Sequence, residues 1–100
     1  MATVTTDLIN KAKMARRIQT EAFDSQVSNL LNAAFLDLGI AGVELPATLD
    51  ALCEQAAITY FMANFGEPDN YDRLKASYDE QKAQLSMATG YTDWTVNHNA

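Results

Sequence analysis

Apolar residues recur at helical spacing in four stretches of the chain, and glycine or proline separates most of them. From about Ala22 to Leu38, the residues Phe23, Val27, Leu30, Leu31, Ala34 and Leu38 follow steps of 4, 3, 1, 3 and 4. Those steps trace one apolar face of an α-helix. Gly39 is placed to end that helix in a left-handed cap. Gly42 and Pro46 then punctuate a loop in which Ile40, Val43 and Leu45 are expected to pack as a short extended piece. A further helix is predicted from about Leu49 to Phe65, with Thr48 as its cap. Leu52, Ala56, Tyr60 and Ala63 make one stripe on it; Cys53, Ala57, Phe61 and Phe65 make an adjoining one, and Ile58 and Met62 widen the surface. A helix apolar on most sides either sits centrally in a bundle or gives its outer face to a partner. Gly66 and Pro68 stop it.

The flanking helices are more polar. The first is predicted from about Thr6 to Arg17, with Thr5 or Thr6 capping its free N–H groups and Asp7 suiting the positive end of its dipole. The last is predicted from about Asn70 to Ala88, with Asp69 as cap and Asp72 in a weak capping-box position. Its apolar stripe is thin: Tyr71, Leu74, Tyr78 and Leu85, with Gln81 alongside. Asp72 with Lys75, and Asp79 with Lys82, are spaced as i,i+3 ion pairs. After Gly90 the helical period is lost, and Trp94 and Val96 alternate with polar residues as in an extended segment. The expected fold is all-α: a small four-helix domain over residues 1–90, followed by an extended C-terminal arm over residues 91–100.

Charge sharpens this picture. The net formal charge is −6, which argues against a nucleic-acid binder, because phosphate neutralisation requires Lys and Arg. The distribution is uneven. Lys11, Lys13, Arg16 and Arg17 crowd the first helix, and no further Lys or Arg occurs until Arg73, while that interval holds nine carboxylates. A basic first helix before an acidic middle is either an ordinary solvated surface or a sign that the two regions meet different partners. A single cysteine, Cys53, excludes an intrachain disulfide framework and fits a reducing cytosol. Asp7 and Lys11 interrupt any early apolar run, so no signal peptide is expected. The run Ala56 to Ala63 is too short to span a bilayer, and no membrane association is expected.

Candidate chemistry is sparse. Cys53 lies mid-helix on an apolar face, where a buried inert thiol is expected, and His98 stands near the end of the arm. Asp50 and Glu54 are i,i+4 neighbours, but acids in an early helical turn already serve the dipole. Asp69, Asn70, Tyr71 and Asp72, with Glu80, have the outline of a calcium loop. The pattern fails, because Tyr71 takes the third position and Leu74 takes the required glycine's. A helix-turn-helix reading fails as well. The loop from Gly39 to Ala47 is too long, and the second helix starts with Asp50 and Glu54 and carries no cation. Neither an enzyme, nor a cofactor, nor a metal site is expected.

Three segments taken in order carry a resemblance. They are Ala22-Phe-Asp-Ser-Gln-Val-Ser-Asn-Leu-Leu-Asn-Ala-Ala-Phe-Leu-Asp-Leu-Gly-Ile-Ala-Gly-Val43, Gln55-Ala-Ala-Ile-Thr-Tyr-Phe-Met-Ala-Asn-Phe-Gly66, and Tyr71-Asp-Arg-Leu-Lys-Ala-Ser-Tyr-Asp-Glu-Gln-Lys-Ala-Gln-Leu-Ser86 closing on Gly90-Tyr-Thr-Asp-Trp94. Over about residues 7–94 the chain resembles the head–tail connector (adaptor) proteins of tailed bacteriophages. Relatives often carry a basic residue where Met62 stands here. The resemblance implies a homo-oligomeric ring, usually twelve-fold, under the portal protein at the head–tail junction of the virion, made in the host cytoplasm. Such a ring extends the DNA channel, lets DNA pass without specific binding, and presents a platform to the next head-completion or tail protein. On that reading Tyr91, Trp94 and Val96 form the arm that orders on the portal or an adjacent subunit, and Leu74 and Tyr78 belong to a subunit interface. The alternatives are another phage head- or tail-completion protein, or a generic helical interaction module.

Overall fold

The computed structural model describes residues 3–46 and 49–87, and among them the regular structure is four α-helices: α1 (Thr6–Ala15), α2 (Asp24–Ile40), α3 (Ala51–Asn64) and α4 (Tyr71–Met87). The all-α expectation holds. Boundaries shift where capping chemistry, rather than hydrophobic period, sets them. Thr5 caps α1 by accepting from the Leu8 N–H at 3.1 Å. Asp50 caps α3, accepting from the Cys53 N–H at 3.0 Å. The predicted Thr48 cap lies outside the described residues.

Gly39 does not end α2. The helix runs one residue further, and Gly42 takes the left-handed conformation, with φ +94°. Gly42 N–H donates to the Gly39 carbonyl at 3.0 Å, and Val43 N–H donates to the Leu38 carbonyl at 2.9 Å. Val43 and Leu38 pack together in the core, completing a Schellman closure with its hydrophobic contact. Ile40 is therefore the last helical residue, not the start of an extended piece. α1 ends two residues earlier than its pattern suggests, and by the same device. Arg17 adopts φ +57°, its N–H donates to the Met14 carbonyl, and the Ile18 N–H donates to the Lys13 carbonyl at 2.8 Å.

α3 is the central helix, in contact with each of the other three. Most of its wide apolar surface is thus used within the subunit, but Leu52 is 62% exposed. Ala57 and Phe61 join Leu8 and Ala12 of α1 and Val27, Leu31, Ala34 and Phe35 of α2 in one cluster. Cys53 and Ala56 join Leu38, Val43, Tyr78 and Leu85 in a second, which holds α4. The first cluster sits towards the C-terminal end of α3 and the second towards its N-terminal end. α4 contributes only Tyr78 and Leu85 to the fully buried set, as its thin stripe implies.

Candidate functional site

Tyr78, expected at a subunit interface, is the most consequential residue of α4 and lies in the core of its own subunit. It is only 3% exposed, so its side chain belongs to the core of its own subunit and offers no surface to a neighbour. Its ring meets Tyr60 edge-to-face at 5.2 Å. Its hydroxyl donates to Oδ2 of Asp37 on α2 at 2.6 Å, and Nζ of Lys82 donates to the same oxygen at 3.1 Å. Lys82 also stands over the Tyr78 ring. Burial pushes the Asp37 carboxyl up, but the hydrogen bonds from Tyr78 and Lys82 and the Lys82 charge outweigh it and hold Asp37 below its ordinary value. Burial, and then the Asp37 carboxylate, push the Tyr78 phenol well above its ordinary range. The three residues form a clasp joining α2 to α4. Lys82 thus pairs across helices rather than with Asp79. Lys75 pairs with Asp79 at i,i+4, 2.8 Å away, rather than with Asp72. Leu74, the other residue expected at an interface, is half-buried.

The basic first helix is largely satisfied within the subunit. Lys11 reaches Glu54 of α3 at 2.9 Å and also pairs with Asp7. Lys13 pairs with Asp24 of α2 at 2.7 Å. Arg16 donates from Nη2 to the Phe65 carbonyl at 3.0 Å and lies over the Phe65 ring. These cations tie α1 to α2 and α3, while Arg17 is exposed.

The candidate residues for chemistry are accounted for in the same way. Asp50 caps α3 and Glu54 holds Lys11. Cys53 is fully buried, and burial, reinforced by the hydrogen bond and charge of Asp50, pushes its thiol up to about 12. A protonated, inaccessible thiol is a poor nucleophile. Among the described residues no three His, Cys, Asp or Glu side chains form a metal-binding group. Nor is any helix there long and apolar enough to cross a membrane. His98 and the arm residues Tyr91, Trp94 and Val96 lie outside the described residues.

Two exposed apolar residues of α2 lie outside its apolar stripe, and one of them, Ile40, does not pack as the sequence pattern leads one to expect. Leu36 is 59% exposed and Ile40 86% exposed, and they are i,i+4 neighbours. Each stands two residues from buried Leu38, about 160–200° around the helix at 100° per residue, so together they mark its outer face. Beside them is an open groove of about 240 Å³ lined by Phe35, Gly39, Val43, Glu44 and Leu45. The signal was present in the spacing, because both residues fall off the core stripe. No protein-family model, curated protein or solved structure matches this chain.

Proposed function

We propose that the chain is a structural head–tail connector subunit of a tailed phage or prophage. In this reading it forms a ring beneath the portal protein, extends the DNA channel, and offers a docking platform to the next head-completion or tail protein. The observation that carries the reading is the ordered set of three resembling segments. They coincide with α2 and its closing turn, with α3, and with α4, the helices that share the second core cluster. The outer face of α2 supports it further. Leu36 and Ile40 place two large aliphatic side chains in water on a small subunit, which suits a surface covered on assembly. With Tyr78 buried in its own subunit, this α2 face joins the half-buried Leu74 as the proposed subunit contact. Tyr91, Trp94 and Val96 remain the proposed grip on the portal.

The test is to combine the purified chain with the portal protein from the same phage or prophage genome and examine the mixture by negative-stain microscopy and co-sedimentation. Rings on the portal are expected, and Ile40→Asp should abolish them while leaving the melting temperature within a few degrees of wild type. Absence of rings and of co-sedimentation with the wild-type chain would overturn the reading.

A further inference from the structure

The outer face of α2 has two features that contacts within the subunit do not account for. The first is its lack of charge. Its exposed positions are hydroxyl and amide residues as far as Asn32, and then Leu36, Gly39 and Ile40. The two carboxylates of the helix are engaged inside the subunit, Asp24 with Lys13 and Asp37 with Tyr78 and Lys82. By contrast, α1 exposes Asp7 and Lys11, and α4 exposes Asp72, Arg73, Lys75 and Glu80. The second feature is a glycine between the two exposed aliphatics. Gly39 is helical, and the left-handed closure belongs to Gly42. A β-carbon at Gly39 would meet nothing within 4 Å. Glycine weakens a helix relative to alanine, and no contact among the described residues calls for it there. Bare backbone flanked by Leu36 at i−3 and Ile40 at i+1 is a notch beside two knobs, the form of a close helix crossing.

We infer that in the free chain this face pairs with the same face of a second copy, two α2 helices crossing about a two-fold axis near Gly39. A two-fold contact must be self-complementary, because the same patch serves on both sides. A face that bears both knob and notch meets that condition: Leu36 and Ile40 of each copy enter the space that Gly39 of the other leaves open. Charge selects a second copy as the occupant. Each copy carries −6, and two such copies repel wherever carboxylates face one another. The outer face of α2 is where they meet without like charges opposed. Its serine and amide side chains form the rim, with donors and acceptors to offer across the axis. A single helix crossing lies at the small end of protein interfaces, below about 1,200 Å², so dissociation at roughly 10⁻⁵–10⁻⁴ M is expected. A two-fold contact also closes at two copies. In the connector reading the pair is therefore the form of the free subunit and parts before a ring closes; the inference itself does not rest on that reading.

The test is sedimentation equilibrium of the full chain alone, from about 5 to about 500 μM at about 0.15 M salt, where a monomer–dimer equilibrium is expected. Ile40→Asp sets a charge on each side of the axis and should raise the dissociation constant about tenfold or more, with the far-ultraviolet circular dichroism unchanged. Gly39→Ala separates fold from contact. Alanine suits the helix better, so the melting temperature should hold or rise. Its methyl group fills the notch from both sides, so association should weaken several-fold. Leu52→Asp alters an exposed apolar residue of α3 and should leave association unchanged. Labelled Ile40→Asp should also fail to join unlabelled wild type, since a two-fold contact needs both faces. A wild-type chain that stays monomeric at the highest concentration would overturn the inference, as would a dimer indifferent to Ile40→Asp or to Gly39→Ala. Recruitment of Ile40→Asp as readily as wild type would set a different surface of the second copy against α2, and the two-fold pairing would fall.

Discussion

Arg17 holds φ at +57°, a conformation in which a side chain crowds the following carbonyl. The chain accepts this because two backbone hydrogen bonds close α1 there, and because Arg16, the preceding residue, is aimed at the C-terminal end of α3. Glycine at position 17 would keep the closure and remove the crowding. Arg17→Gly is therefore expected to raise stability by about 1 kcal/mol, less the entropy that glycine adds to the unfolded chain. Urea denaturation of the two proteins checks the sign. The neighbouring position should behave oppositely. Arg16→Ala removes a charge-assisted hydrogen bond to the Phe65 carbonyl and the stacking on its ring, and should cost about 1.5–3 kcal/mol.

At the scale of the element, α4 depends on the Asp37 clasp. Tyr78→Phe removes one hydrogen bond while leaving Asp37 with Lys82, an expected loss of about 1 kcal/mol. Asp37→Ala leaves the Tyr78 hydroxyl buried without its acceptor and should cost more, about 1–3 kcal/mol. The same carboxylate sets a pH dependence. Its folded pKa lies below the unfolded value, so its contribution is fully present above that value, near ~3.9. It is lost as pH falls through the depressed folded value. The stability gap between wild type and Asp37→Asn should accordingly shrink below about pH 4 in acid titrations followed by circular dichroism. The helices themselves were legible in the sequence, because Val27, Leu31, Ala34 and Leu38, or Cys53, Ala57 and Phe61, repeat at the period that burial imposes. Tertiary geometry was not legible. No spacing rule says that Lys82 reaches across to Asp37 instead of along its helix to Asp79, or that Asp37, an acid outside the apolar stripe, governs how α4 docks. Gly39 misled as a helix stop because two glycines stood near one end, and only the Leu38–Val43 contact selects Gly42. The exposed Leu36 and Ile40 were legible in principle from their phase on α2.

For the whole molecule, the internal use of Lys11, Lys13 and Arg16 bears on nucleic acid. With those cations paired and a net charge of −6, the chain should not retain duplex DNA at about 0.15 M salt, where non-specific binders still reach ~10⁻⁴–10⁻⁶ M. A gel shift at micromolar protein would show that these surface pairs give way to phosphate, and would count against a channel through which DNA slides freely. The division of the core into two clusters has a further consequence. α1, α2 and the second half of α3 interlock through Leu8, Val27, Leu31 and Phe61, whereas α4 packs mainly on the single helix α3, through buried Tyr78 and Leu85, and reaches α2 chiefly through Asp37. Such a molecule opens in steps. Amide hydrogens along α4 should exchange through a partial unzipping whose free energy lies well below that of complete unfolding, while those of α2 between Val27 and Phe35 wait for the global event. Removing the clasp with Asp37→Ala should speed exchange throughout α4 and leave the most protected amides of α2 lowered only by the global loss. The fourth helix would then be the part of the subunit that can be lent to another surface without dissolving the rest.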